Sequence, residues 1–341
     1  MNVNKERKQR SAIHATITRI VLVTIVGGLL LNACGAEEPK VYRVGVLIGV
    51  GFAVRAADSL KAEMAELGYV EGENIVYDVQ ITDFDMAAYQ RVVEKFVADK
   101  VDLIFVIPTE AALVAKATAQ GTDIPVVFTT AMIEGNGLVD SVREPGGNIT
   151  GARFPQVDIS LKIFETLHEL DPEAKRYWMP YQRGYGSVTY QLEALYPAAK
   201  AAGVTLIEAP ADNAAELEAD LQERAQADDV GFDAIMLLVD PLSVTPDVVA
   251  VLSEFSAEHK IPIGGGMVVE ENYGPVFEVN AGSNDAKIVA PLVDQVLKGT
   301  PAGTIPVVSP ETELKINYKV AQELGLTVPE SLLLQAQEII R

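Results

Sequence analysis

Short β-branched apolar runs alternate with stretches of helical spacing along most of the chain, and they do so in two successive sets. That alternation constrains the fold more than any other feature, because a strand–helix–strand unit covers both faces of a parallel sheet. Residues 41–50 (VYRVGVLIGV) predict a buried strand. Residues 53–67 predict a helix with Ala57, Leu60, Met64 and Leu67 on one face and Gly68 as its stop. Strands follow at 74–81, 101–107 and 124–128, with helices at 86–99 and 110–118. Pro145-Gly146-Gly147-Asn148 interrupts the pattern before a short extended piece at 149–151. The alternation then restarts, with helices at 159–170, 188–202, 214–227 and 246–259 and strands at 176–179, 204–209, 234–239 and 261–263. After Gly264-Gly265-Gly266 the pattern predicts a strand at 275–280, a helix at 283–297, an extended stretch at 305–308 and a last helix near 332–340. The expected class is α/β: two Rossmann-like lobes with parallel sheets, joined by a hinge of two or three crossovers. Residues 41–151 and 275–308 are assigned to the first lobe, 152–274 and 309–341 to the second. No short repeat is present, which excludes a solenoid.

Cys34 is the only cysteine among 341 residues, so the chain cannot form an internal disulfide, a zinc cluster or a CxxC pair. Of the histidines, His14 lies near the start, and His168 and His259 read as structural or surface residues. Residues 1–19 are basic, 20–31 form an uncharged apolar run, and the run ends Leu31-Asn32-Ala33-Cys34-Gly35. This reads as a secretory signal, too short for a comfortable membrane span. The Leu-x-Ala-Cys ending resembles a bacterial lipobox. That resemblance implies a lipoprotein signal peptide at 1–33, lipid on Cys34, a tether at 34–40 and a body on the extracytoplasmic face of a cell membrane. A plain signal peptide with an incidental cysteine is the alternative. The net charge is −21, and Lys5, Arg7, Lys8, Arg10 and Arg19 against Glu6 leave about −25 on the body. A body this acidic repels phosphate backbones, so nucleic acid is not an expected partner.

In open α/β sheets, ligands lie beyond the carboxyl ends of the strands. The loops to inspect are therefore 49–54, 108–110, 129–135, 181–187, 240–243 and 264–268. They nominate Gly51, Phe52, Thr109, Glu110, Thr130, Tyr181, Ser187, Asp240, Gly266 and Met267 as ligand-binding residues. Several have a second reading. Asp240 precedes a helix and suits a turn or cap. Thr109 also suits a cap. Phe52 serves equally as an aromatic wall or as lobe packing, and Arg183 as a carboxylate clamp or a solvated side chain. The glycines at 49–51 lack both the GxGxxG and the GxxxxGK[ST] spacing, and 264–266 reads as a hinge or close approach. No cofactor, metal or catalytic set is expected.

Five stretches resemble one known family: Glu66-Leu-Gly-Tyr-Val-Glu-Gly-Glu-Asn74, Asp102-Leu-Ile-Phe105, Ile124-Pro-Val-Val-Phe-Thr129, Pro145-Gly-Gly-Asn-Ile-Thr-Gly151 and Leu324-Gly-Leu-Thr-Val-Pro329. On these the body resembles the ABC transporter substrate-binding proteins that include tryptophan and tyrosine binders, with a type I periplasmic-binding fold. The resemblance implies a monomer that captures a small molecule between its lobes and presents the closed form to an ABC permease and ATPase, without a chemical step. It also implies that Thr109 lines the site and that Asp240 pairs with a ligand ammonium, while Ser187 at a helix start suits a carboxylate. Two stretches depart from the pattern: Thr130-Ala131 stands where the family usually has Asp-Pro, and Gly266-Met267-Val268 where acidic residues are frequent. The expected ligand is thus an aromatic or branched amino acid, or another largely apolar small molecule. The rival readings are a ligand sensor feeding a chemoreceptor or kinase and, behind it, an extracellular enzyme on the same scaffold.

Overall fold

The computed structural model describes residues 40–49, 53–82, 85–266, 274–281 and 285–341. The signal at 1–33, Cys34 with most of its tether, Gly51, Phe52 and Met267 lie outside the described residues.

The first sheet is built from β1 (Tyr42–Ile48), β2 (Ile75–Ile81), β3 (Leu103–Ile107), β4 (Val126–Ala131) and β5 (Ile149–Arg153). Between them run α1 (Val54–Glu66), α2 (Met86–Ala98) and α3 (Thr109–Ala119). The strands lie in the order β2-β1-β3-β4-β5, all parallel. Every residue of β3 is buried, as a central parallel strand with both faces covered requires. Gly45 sits under the Phe96 ring, where a Cβ would come within 2.6 Å of the ring.

The chain then enters a second sheet through α4 (Gln156–Leu170), β6 (Arg176–Gln182), α5 (Val188–Ala202), β7 (Thr205–Ala211), α6 (Ala214–Ala225) and β8 (Ala234–Met236). It continues through α7 (Pro246–His259), β9 (Ile263–Gly264), β10 (Phe277–Ala281), α8 (Asp285–Leu297), β11 (Thr312–Asn317), α9 (Tyr318–Glu323), α10 (Glu330–Gln335) and β12 (Glu338–Ile340). The strand order is β12-β11-β10-β9-β8-β6-β7. One pair, β10 with β11, is antiparallel, so the second sheet is mixed rather than wholly parallel.

Four expectations need correction. Phe277–Ala281, assigned to the first lobe, is hydrogen-bonded between β9 and β11 and belongs to the second sheet. Only after it does the chain return, α8 packing Val289, Val293 and Val296 against Leu60 and Met64 of α1. The predicted last helix stops at Gln335, and Glu338–Ile340 pairs with Lys315–Asn317 instead. The polar alternation of β11 (TELKIN) hid a strand with Leu314 and Ile316 turned into the core. Finally, β8 is three residues long rather than six, because the Gln191 amide takes over the backbone of Val239. Gln191 Oε1 accepts from the Val239 N–H at 2.9 Å, and its Nε2 donates to the Val239 carbonyl at 3.0 Å.

Among the described residues the chain passes between the sheets three times, at 153–156, 281–285 and 308–312. The Pro145–Gly151 motif explains why residues 303–308 stay with the first sheet. Gly146 donates to the Gly303 carbonyl at 3.1 Å, the Thr150 hydroxyl to Ile305 at 2.8 Å, and Val308 to Gly151 at 3.0 Å. Asn148 Nδ2 meanwhile donates to the Ile124 carbonyl at 2.6 Å. The Glu66–Asn74 motif is equally architectural: Tyr69 donates to Asp294 of α8 at 2.9 Å, and Asn74 closes the loop on Val70 and Gly68. None of the described helices is long and apolar enough to cross a membrane.

Candidate functional site: the cleft between the sheets

The carboxyl ends of β3, β4, β5 and β6 border a cavity of about 240 Å³. Thr109 and the loop with Met132, Glu134, Gly135 and Asn136 line it from the first lobe. Gln156, Val157, Gly186, Ser187 and Tyr190 line it from the second. This is smaller than the roughly 300–1,000 Å³ of drug-sized pockets and suits a small metabolite.

Three helices start at this cavity. α3 begins at Thr109, α4 at Gln156 and α5 immediately after Ser187, and none of the three has a side-chain cap. The helices that follow the edge strands β2 and β7 are capped, α2 by Asp85 and α6 by Asn213. Uncapped first-turn N–H groups carry the positive end of the helix dipole. Three of them converging on one small cavity make it favourable for an anionic group.

The loop after β4 owes its position to Thr130. This β-branched residue has φ 52°, at a bulge between Phe128 and Ala131. Left-handed backbone costs a residue of this kind about 1–2 kcal/mol, and strain of that size is held by surrounding structure. The Thr109 hydroxyl supplies part of that hold by accepting from the Met132 N–H at 3.0 Å; Thr109 is buried and does not cap its own helix. Asn136 closes the loop, its Nδ2 donating to Met132 at 2.7 Å and its Oδ1 accepting from Leu138 at 2.9 Å. Glu134 Oε1 accepts from Arg153 Nη1 at 2.9 Å.

On the second lobe, buried Gln156 donates from Nε2 to Ser187 Oγ at 2.7 Å and to the Val239 carbonyl at 2.6 Å. That bond places Ser187 on the cavity wall. Asp240 follows Val239 and is only 7% exposed. One of its oxygens accepts from the Ser243 N–H at 2.9 Å and the other from the Gln182 N–H. Burial raises its carboxyl above the usual range, while the Gln182 and Ser243 N–H groups pull the other way. The turn role weighed for Asp240 is therefore realised, and about two of the four acceptor positions of a carboxylate stay open. Tyr185 lies within electrostatic reach of Asp240 and Glu110. Burial chiefly raises its hydroxyl pKa, and those two carboxylates add to the rise.

The structure therefore brings Thr109 and Ser187 to the cavity wall, with Thr130 shaping the loop; Asp240 and Glu110 do not line the cavity and come within electrostatic reach of Tyr185 instead. It takes Tyr181 away: the Tyr181 hydroxyl donates to Glu208 of edge strand β7 at 2.5 Å. Burial and that bond push its pKa up to about 12. Arg183 is engaged with Asp212 at 3.2 Å and Glu216 at 2.7 Å, so the clamp reading fails. Gly266 has φ 75°, and a Cβ there would lie 2.6 Å from Leu237, which fits close approach rather than ligand contact. His168 stacks on Phe164 and His259 packs on Phe255, as structural residues do.

The strand-end loops led to none of Glu134, Gln156 and Tyr190 as candidates, although all three line the cavity. Pro155, the residue before α4, was a usable signal, because proline favours the start of a helix. Tyr190 reaches across the cleft to the 132–136 loop: a methyl group at Gly135, where φ is 64°, would lie 1.8 Å from the Tyr190 hydroxyl oxygen. Gly135→Ala is accordingly expected to hold the lobes apart and to weaken ligand binding about tenfold, or ~1.4 kcal/mol. Gly135→Ala combined with Tyr190→Phe should recover part of that loss in a calorimetric titration.

Two α/β lobes whose strand ends and helix starts face one small cavity define a two-lobed solute-binding protein with a periplasmic-binding fold. The chain belongs to the ABC transporter substrate binding protein family, whose sequence model matches residues 50–340. It is 30% identical over 271 residues to a tyrosine-binding protein of Clostridioides difficile strain R20291, covering 77% of this chain and 74% of that one. Among solved structures it resembles the ligand-free, open form of a substrate-binding protein with adhesive properties from Clostridium difficile. The TM-score is 0.73 at 24% identity, covering 87% of this chain and 99% of the other. It also resembles an ABC domain in complex with L-Trp from Streptococcus pneumonia, with TM-score 0.66 at 24% identity, covering 88% and 100%. The family consists of extracytoplasmic substrate-binding proteins rather than enzymes.

Proposed function

We propose that the cleft captures an amino acid, aromatic amino acids first, and that the closed form hands it to a membrane permease and its ATPase. Lipid on Cys34 would hold the body at the outer face of the membrane. The observation that carries the ligand reading is the pairing of opposite poles around one small cavity. Three uncapped helix starts favour a carboxylate, and the acidic side chains, Glu134 on the wall with Asp240 and Glu110 beyond it, favour an ammonium. The departures from the family pattern suggested a more apolar pocket, but Glu134, Asn136 and Gln156 supply polar groups that those departures concealed. The names of the tyrosine-binding relative and of the L-Trp complex support the same class of ligand.

A thermal-shift screen against the amino acids, nucleosides, small carboxylates and uncharged aromatics tests this. A ligand at 100 times its Kd should add about 2.7 kcal/mol of stability. The expected result is a shift with L-tyrosine or L-tryptophan. A shift confined to uncharged compounds would reassign the cleft.

A further inference from the structure

Arg153 occupies an unusual position, at the end of β5 where the first crossover begins. Its backbone N–H donates to Val308 at 2.9 Å and its Nε to Ser309 Oγ at 2.6 Å, so it also touches the crossover at 308–312. Its Nη1 reaches Glu134 on the cavity wall at 2.9 Å, and its Nη2 reaches Asp158 of α4, in the other lobe. The guanidinium is 17% exposed, the Glu134 side chain 22% and that of Asp158 47%. Two of these groups are thus shielded enough for the pairing to count for more than an exposed ion pair.

We propose that Arg153 is a positioning residue for ligand capture. It holds the cleft carboxylate Glu134 and the opposite lobe's Asp158 on one planar fork, so the place of Glu134 on the cavity wall and the angle between the lobes are set together. A rigid guanidinium can grip two carboxylates in fixed directions while a serine occupies its Nε; an ammonium cannot reproduce that geometry. Without it, Glu134 and Asp158 become unshielded like charges flanking the hinge and favour opening. Lobe rotation about the crossovers would alter the reach from Arg153 to Asp158, and that is how closure and the cavity wall become linked. This rests on capture between the lobes and not on the identity of the ligand.

The test is the interlobe distance without ligand, measured by pulsed electron resonance in the full chain. The background carries Cys34→Ser, with spin labels at Glu94→Cys on α2 and Ala219→Cys on α6, both exposed positions. Arg153→Ala and Asp158→Asn should each widen the distribution and lengthen its mean, with Arg153→Lys between them and the parent. Arg183→Ala, an exposed arginine with two carboxylate partners of its own, should change nothing. In titrations with L-tyrosine, Arg153→Ala should raise Kd about tenfold, chiefly through faster release. Unchanged distances in both Arg153→Ala and Asp158→Asn would overturn the proposal, and so would a change in the first alone. A protein that ignores L-tyrosine would count against the amino-acid reading and leave the distance result to decide the role of Arg153.

Discussion

Replacing Asp240 with alanine is expected to raise the Kd for an amino-acid ligand at least 100-fold, about 2.7 kcal/mol, and to lower stability as well. Both effects follow from its surroundings. The carboxylate is buried and answers the N–H groups of Gln182 and Ser243, so the variant leaves two donors without an acceptor. Each such group costs about 1–3 kcal/mol, offset in part because the desolvation cost of the carboxylate disappears with it. A net loss of about 2 kcal/mol is expected by denaturant titration. Asp240→Asn separates the two roles, since it keeps one acceptor and removes the charge. It should lose most of the binding and less of the stability. Equal binding by Asp240→Asn and the parent would retire the ammonium role.

The same residue sets a pH dependence. Burial raises the carboxyl pKa of Asp240 in the free protein. A ligand ammonium stabilises the charged form, so binding lowers that pKa again and releases a proton when the pH lies between the two values. Affinity should therefore be full above the raised pKa. It should fall on acidification, beginning at a higher pH than an ordinary aspartate would dictate. For folding alone the sign is opposite: the raised pKa favours the folded state below the unfolded value, and that gain is lost as pH rises through the folded one.

Gly151→Ala is expected to be the most damaging small substitution, costing about 3 kcal/mol or more. A Cβ at this position would lie 2.1 Å from the Phe128 carbonyl oxygen and 2.7 Å from its ring. The first of these is backbone of the paired strand β4 and cannot swing aside. Overpacking of this kind usually costs about 1–3 kcal/mol, and here the strand pair that carries the hinge must separate. The melting temperature should fall by roughly 5–10 °C. Gly147→Ala, four residues earlier in the motif, has open space at its Cβ and pays only for its φ of 54°, so a much smaller fall is expected there. Similar losses for the two variants would show that the motif acts through backbone conformation rather than through close approach.

The first-lobe strands and helices were legible because each apolar run is flanked by a glycine or proline and each helix has a clean buried stripe. Tyr89, Val93 and Phe96 of α2 are one such stripe, buried as their spacing predicts. What stayed hidden was decided by long-range pairing. Nothing local in Phe277–Ala281 says which sheet it joins; the partners Gly264 and Ile316 decide it. Ala234–Val239 has the composition of a six-residue strand, and only Gln191, far away in sequence, cuts it short. The candidate site followed the same division. Loops after strands could be named from the topology, which led to Thr109 and Ser187 on the cavity wall. Which side chain of a loop turns inward could not, and Tyr181 turned to Glu208 while Glu134 and Tyr190 faced the cavity.

The central claim is that the cleft recognises both ends of a zwitterion. Calorimetric titration with L-tyrosine, with tyramine (no carboxylate) and with 3-(4-hydroxyphenyl)propionate (no ammonium) tests it most directly. The account predicts that L-tyrosine binds and that each analogue binds at least about 100-fold more weakly, a loss of ~2.7 kcal/mol per missing pole. An uncharged aromatic such as p-cresol binding as tightly as L-tyrosine would contradict it, because the helix starts and Asp240 would then contribute nothing to recognition.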